Sequence, residues 1–211
     1  MTASQKAFGT PPGLCMLGVS KRAINYMENE RKNPIRSWYA NLMRWLPIMR
    51  AYKARKPSYF STPNVNLIIA LNQAEKQVID EGIDNVIKRS DAFSNVFKNS
   101  MKSIGLSFVA VREGCYANTI TAIKFPENIN GKELLTFIKE KGVIFAGGLH
   151  KEIKTTYFRV GHMGISTRIG STDLLKCVEA IEYGLEKCGY KFEKGKAIKI
   201  FKEQAKEAKL L

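Results

Sequence analysis

The sequence predicts an α/β protein, with a small sheet carrying helices on one face and the element order α-β-β-α-β-β-α after Gly82. Three observations carry that prediction. Apolar residues recur at helical spacing through Val65–Ile79 and again through Val86–Ile104, the pattern of helices with one buried face. Four short runs rich in β-branched and aromatic residues follow: "LSFVAV", "TITAIKF", "VIFAGG" and "YFRVGH". Glycines and capping residues fall between these segments, where elements must start and stop.

In chain order, "GLCMLGVS" behind a Pro-Gly turn reads as a short buried strand. "KRAINYMENERKN" reads as a helix ended by Pro34. Residues 34–63 are rich in Arg, Trp, Tyr and Pro without periodicity, so they read as a long irregular segment, functional or wrapped around a neighbouring subunit. "NVNLIIALNQAEKQVIDEG" is a helix with Gly82 as its stop. The next helix runs through Val86, Phe93, Phe97, Met101 and Ile104 to Gly105. After two strands, Asn130 with Glu133 forms a capping box ahead of "ELLTFIKEK", which Gly142 ends. After two more, Ser171 or Thr172 caps "DLLKCVEAIEYGLEKC", which stops at Gly189. The Lys- and Glu-rich C-terminus is spaced as a surface helix. Residues 83–211 therefore read as one domain, and residues 1–82 as too little for a core of their own.

Composition narrows the function. The chain has 211 residues, four cysteines (Cys15, Cys115, Cys177, Cys188) without a C-x-x-C pair, and two histidines, His150 and His162. That argues against a zinc centre or a disulfide framework and for a reducing compartment. No run approaches the ~18 apolar residues of a membrane span, and no signal-peptide pattern opens the sequence. The net charge of +15 raises nucleic acid as a partner. No zinc finger, helix-turn-helix or aromatic-basic RNA motif accompanies it, so the lysines read first as solvated helix faces.

Six motifs occur in order: "SQKA", "PPGL", "RWLPIM", "YFSTPNV", "FAGGLHK" and "RVGHMG". Together they resemble the class V aminotransferases, pyridoxal-phosphate enzymes of fold type I. The likeness is greatest to the alanine–glyoxylate and serine–pyruvate branch, particularly its fungal members, and it runs over nearly the whole chain. The resemblance implies that Lys6 is the lysine that binds the cofactor covalently and then moves the substrate α-proton. It implies that Gln5 bonds the cofactor phosphate, and that Tyr59 and Thr62 reach the phosphate of a neighbouring subunit's cofactor. Arg159 is implied as the grip on the substrate carboxylate, through two parallel hydrogen bonds. His150 and His162 are read as structural. Cysteine desulfurases fit less well, because Gln5 rather than His precedes the lysine and no Cys sits in a comparable Ser-rich loop. Phosphoserine aminotransferases need basic contacts to a substrate phosphate that cannot be identified.

Family members extend well upstream of the lysine, where they carry a phosphate-binding turn, a ring-stacking residue and the aspartate that pairs with the pyridine nitrogen. The resemblance therefore implies the C-terminal portion of a fold type I enzyme. On this reading residues 1–82 are part of an incomplete large domain with the cofactor lysine and dimer loop, and residues 83–211 are the small domain. The implied activity is alanine–glyoxylate transamination, with serine–pyruvate as the alternative pair and pyridoxal 5'-phosphate as cofactor. The implied partners are small amino and 2-oxo acids and a second copy, without metal or membrane. Two readings from other classes stand beside it: a non-catalytic interaction protein and a basic nucleic-acid binder. A cytoplasmic location is expected, with mitochondrial and peroxisomal placement left open, since "AKLL" is one residue longer than a peroxisomal tripeptide.

Overall fold

A computed structural model describes residues 1–211. By internal packing the chain divides into unit 1, Met1–Ser4 with Thr10–Gln73, and unit 2, Gln5–Gly9 with Ala74–Leu211.

Unit 1 is thinly packed. Strands β1 (Thr2–Ala3) and β2 (Cys15–Met16) form an antiparallel pair with Thr2 opposite Met16. The predicted strand "GLCMLGVS" shrinks to those two paired residues, and Leu17 and Val19 are exposed. An apolar run specifies burial only where another surface receives it. The predicted helix at Lys21 is α1 (Lys21–Asn25), capped by Ser20 and continued by a wider π-helical turn, Tyr26–Glu30.

Within the segment expected to be irregular lies α2 (Leu42–Lys53), whose N-terminus is capped by the Asn41 side chain on Met43 N. Pro47 sits inside this helix, where proline removes a backbone donor and ordinarily costs ~3 kcal/mol. Trp45 on the same helix packs edge-on against Phe60, 4.6 Å between ring centroids, and against Tyr39 at 5.2 Å, contacts of about 0.5–1.5 kcal/mol each that offset part of that cost. Helix α3 (Val65–Glu81) begins over the Asn64 side chain, which accepts from Leu67 N. In unit 1 only Ser4 and Leu71 are buried, so these residues form no core of their own.

Unit 2 holds the core. Helix α4 (Ile83–Ser103) buries Phe93, Phe97 and Met101, one residue per turn along one stripe. Strand β3 (Ile120–Lys124) follows, and then α5 (Gly131–Glu140), where Asn130 Oδ1 accepts from Lys132 N and Glu133 N as the predicted cap. Strands β4 (Ala146–Gly147) and β5 (Tyr157–Gly161) complete an antiparallel sheet in the order β3-β5-β4. The run "LSFVAV" contributes only an isolated bridge, Phe108 to Ile123. Helices α6 (Asp173–Lys187) and α7 (Lys196–Glu207) close the unit. Helices α4, α5 and α6 stop before Gly105, Gly142 and Gly189, all with positive φ.

The predicted surface helix α7 has a buried stripe, Ala197, Phe201 and Ala205, packed against α4. Its N-terminus is capped by Glu182 of α6, whose buried carboxylate accepts from Gly195 N (2.8 Å), Ala197 N (2.7 Å) and Ile198 N (3.3 Å). No helix is long and apolar enough to cross a membrane.

Candidate active site

Lys6 lies in a tight turn closed by a bond from Gly9 N to the Lys6 carbonyl, 3.0 Å. The residue before that turn pair, Ser4, is fully buried and acts as a tie point. Its hydroxyl donates to Pro11 O (2.8 Å), and its carbonyl accepts from Thr10 N and Thr10 Oγ1. These bonds hold the "PPGL" turn against the start of the chain, so Gln5 and Lys6 leave a fixed backbone with both side chains exposed. Ser4 was not singled out by sequence reasoning, because a lone serine two residues ahead of a lysine has no distinctive pattern.

The lysine turn docks by backbone on the segment that follows β5. A Cβ on Gly164 would stand 2.8 Å from the Lys6 carbonyl oxygen and 3.1 Å from Gly9 Cα. A Cβ on Gly9 would stand 2.9 Å from Ile165 Cγ1, and both glycines have positive φ. Only residues without a side chain permit this approach. It brings the lysine turn to the strand carrying Arg159, since Gly164 follows Arg159 by five residues.

Arg159 is half-buried on β5, opposite Ala146 of β4. Its Nε donates to Gly147 O at 2.7 Å, and no other protein partner engages the guanidinium. Tyr157, two residues earlier, accepts at its hydroxyl from Leu149 N (2.9 Å) and His150 N (3.3 Å). Those two donors hold the phenol below the ordinary tyrosine range.

Beside the lysine turn is a cavity of about 60 Å3, lined by Ala7, Phe8, Gln77, Glu81, Arg89 and Thr167 among others. Glu81 is its only carboxylate, and Arg89 holds it through two bonds, Nε to Oε1 at 2.6 Å and Nη2 to Oε2 at 2.9 Å. That contact keeps the Glu81 carboxyl below the usual carboxylate range. Arg89 also donates to the Thr167 carbonyl.

Tyr59 and Thr62 belong to unit 1, where their hydroxyls bond one another at 2.7 Å. Tyr59 is 69% exposed. One hydroxyl proton closes that bond and the other is free to donate, so a phosphate can take one donor from the pair as it stands and both if it replaces the mutual bond.

The two histidines differ. His150 is exposed. His162 is fully buried, with Nε2 2.7 Å from Thr121 Oγ1 and Nδ1 3.2 Å from the Asn118 carbonyl. A carbonyl only accepts, so the proton is assigned to Nδ1. Burial, reinforced by the nearby Lys98 ammonium, lowers the imidazole pKa to about 4. Lys98 is itself buried and donates to Ala117 O (2.7 Å) and Ser94 Oγ. This cluster ties α4 to β3 and holds no reactive group open to solvent. No group of three or more His, Cys, Asp or Glu side chains is placed to hold a metal ion.

Pyridoxal phosphate can be set against these residues. The exposed Lys6 amine suits the aldehyde, and the Tyr59–Thr62 pair suits the phosphate. The cavity beside the lysine turn is far below the ~300 Å3 of a small-molecule pocket, and Glu81 is committed to Arg89. Lys6 thus offers an amine for the aldehyde and the Tyr59–Thr62 pair offers hydroxyls for a phosphate, each within its own unit, and the cavity beside Lys6 holds no free carboxylate for a pyridine nitrogen.

No protein-family model matches the chain. It is 35% identical over 192 residues to alanine–glyoxylate aminotransferase 1 of Saccharomyces cerevisiae, covering 89% of this chain and 49% of the yeast protein. It is 30% identical over 204 residues to an uncharacterized aminotransferase of Methanocaldococcus jannaschii, covering 96% and 50%. Among solved structures, pyridoxamine–pyruvate aminotransferase from Mesorhizobium loti superposes with a TM-score of 0.82 at 25% identity, over 96% of this chain and 50% of that one. The chain thus spans about half the length of the curated relatives it matches. In sequence and in fold it is a homologue of the class V aminotransferases, with the architecture of one half of a fold type I enzyme.

Proposed function

We propose that the chain supplies the lysine- and arginine-bearing portion of a pyridoxal-phosphate aminotransferase that moves an amino group from alanine to glyoxylate. The products are pyruvate and glycine. Residues 1–82 belong on this reading to the cofactor-binding domain, and residues 83–211 form the small domain. The observation that carries the proposal is the docking of the Lys6 turn on Gly164, which joins the amine to the Arg159 strand within one unit. The 35% identity to the yeast alanine–glyoxylate enzyme supports the choice of substrates. Serine as donor with pyruvate as acceptor is the alternative pair.

When bound, the cofactor supplies an electron sink for the carbanion left by proton removal. The chain's own residues do the rest. Lys6 holds the cofactor through its amine and, when released, carries the α-proton in its neutral form. Arg159 pairs with the substrate carboxylate and so orients the Cα–H bond. Gln5 donates to a phosphate oxygen, and Tyr59 with Thr62 does so toward the neighbouring subunit of a homodimer.

The test is a chimera that joins the upstream half of the yeast enzyme to this chain, assayed with alanine and glyoxylate. Turnover with visible cofactor absorbance is expected, and Lys6→Ala abolishes both. A soluble chimera that binds cofactor yet turns over no amino donor overturns the proposal. Retained absorbance in the Lys6→Ala variant overturns the lysine assignment.

A further inference from the structure

Arg159 has five N–H donors, and one edge of its fork is already spent. Nε is taken by the Gly147 carbonyl, which leaves the Nη1 and Nη2 donors without a partner in the chain. Whether that carbonyl stays in place depends on the connection from β4 to β5. Gly147 pairs with Phe158 at the end of the short β4. Beyond it the backbone folds back so closely that a Cβ on Gly148 would stand 2.5 Å from Lys154 O, 2.7 Å from Lys154 Cα and 2.7 Å from Tyr157 Cε1.

Two successive turns complete the connection, Ile153 N to His150 O at 3.1 Å and Thr156 N to Ile153 O at 2.9 Å. Across it stands Tyr157, 6% exposed, whose hydroxyl collects Leu149 N and His150 N. Tyr157 and Arg159 are two apart on β5, so their side chains leave the same face of the sheet. The phenol thus pins the backbone that follows Gly147 on the face from which Arg159 projects.

We propose that Tyr157 is a positioning residue for Arg159. Its hydroxyl fixes the Gly147–His150 backbone, the Gly147 carbonyl holds the Nε edge, and the outer Nη pair is presented end-on to the carboxylate of a small amino or 2-oxo acid. The carboxylate clause rests on the reading of Arg159 given under the proposed function; the positioning does not. A free arginine explores many rotamers and grips a carboxylate from either edge. A guanidinium tied at Nε has one edge left and less entropy to lose on binding.

Heteronuclear NMR on the full chain with isotope-labelled arginine tests both clauses separately. The Arg159 Nε–H is expected to be protected from solvent exchange, and Tyr157→Phe is expected to speed that exchange roughly five- to tenfold, as for a lost hydrogen bond. Gly148→Ala, whose Cβ would crowd Lys154 and the Tyr157 ring and so displace the clamped backbone while keeping the hydroxyl, is expected to do the same. It decides the matter if Tyr157→Phe does not fold. Pyruvate titrated into the wild-type chain shifts the Arg159 Nη resonances, with affinity roughly five- to tenfold lower in Tyr157→Phe. Unchanged Nε–H exchange in the folded variant overturns the positioning role. A protected Nε–H with no pyruvate response at any concentration leaves the positioning standing and overturns the carboxylate reading of Arg159.

Discussion

A side chain at Gly164 would stand 2.8 Å from the carbonyl oxygen of Lys6. The turn that carries the candidate catalytic amine is therefore seated on a backbone that tolerates no Cβ. Gly164 also has a φ of +64°, which L side chains rarely adopt. Gly164→Ala combines strain with a backbone clash and is expected to cost about 1–3 kcal/mol. The check is thermal unfolding together with proteolysis near Lys6: a lower midpoint and a newly cleavable turn are expected. An unchanged midpoint with an uncut turn would show that the two backbones are not in register contact.

Arg159→Ala in the chimera is expected to keep the visible absorbance of bound cofactor, because on the proposed function Arg159 meets the substrate and not the cofactor. It should raise KM and lower kcat/KM for alanine roughly 30- to 1000-fold, the scale of a lost charge-assisted carboxylate pair of about 2–4 kcal/mol. Arg159→Lys should rescue poorly, since an ammonium has no fork for the carboxylate and cannot span Gly147 O as well. Steady-state kinetics with alanine varied at saturating glyoxylate decide it.

His162 makes stability fall on the acid side. Its folded pKa is about 4, below the 6.5 of an unfolded imidazole. The unfolded chain thus binds a proton that the folded chain refuses between those values. Stability is full above pH 6.5 and is lost progressively as pH falls toward 4, by about 3 kcal/mol from this group. Denaturant titrations of wild type and His162→Gln across that window should diverge, with the variant losing less. Parallel curves would mean that the imidazole is not held neutral.

Glu182 joins two helices with a single carboxylate. It satisfies three backbone N–H groups at the start of α7, donors that otherwise lack intrahelical partners. Glu182→Ala leaves the buried Ala197 N–H and the half-buried Gly195 and Ile198 N–H groups without their acceptor and is expected to cost about 2–3 kcal/mol. Hydrogen exchange along Lys196–Glu207 should accelerate with the loss in stability. Protection in α7 at the wild-type level would assign its stability to Phe201 packing instead.

Limited trypsin digestion should cut unit 1 before unit 2. Arg31, Lys32, Arg36 and Lys53 are exposed in a unit with two buried residues, Ser4 and Leu71, whereas α4 and α7 share a continuous core. Mass spectrometry of the first fragments is the check, and first cuts within residues 83–205 would contradict it.

Much of unit 2 was legible because its signals are local. Asn130, Gly142 and the spacing of Phe93, Phe97 and Met101 specify their own elements through capping, positive φ and a 3.6-residue period. The motifs around Lys6 and Arg159 pointed to the chemistry only through their resemblance to the aminotransferases, since a lone lysine or a strand arginine carries no such signal by itself. What local pattern could not supply was partnership. Residues 34–63 looked irregular for want of periodicity, yet they hold α2, on which Trp45 packs against Phe60. "GLCMLGVS" looked buried by its apolarity and is largely exposed. The docking of Gly9 on Gly164, the Glu182 cap on α7 and the Tyr157 clamp on the backbone beyond Gly147 all join residues distant in the chain or across a loop. Each depends on distances of about 3 Å, and such distances exist only once the chain has folded. The sequence by itself determined which reactive residue types the chain offers and where its local elements start and stop; the tertiary structure decided how firmly each is held, because orientation comes from long-range contacts that no period encodes.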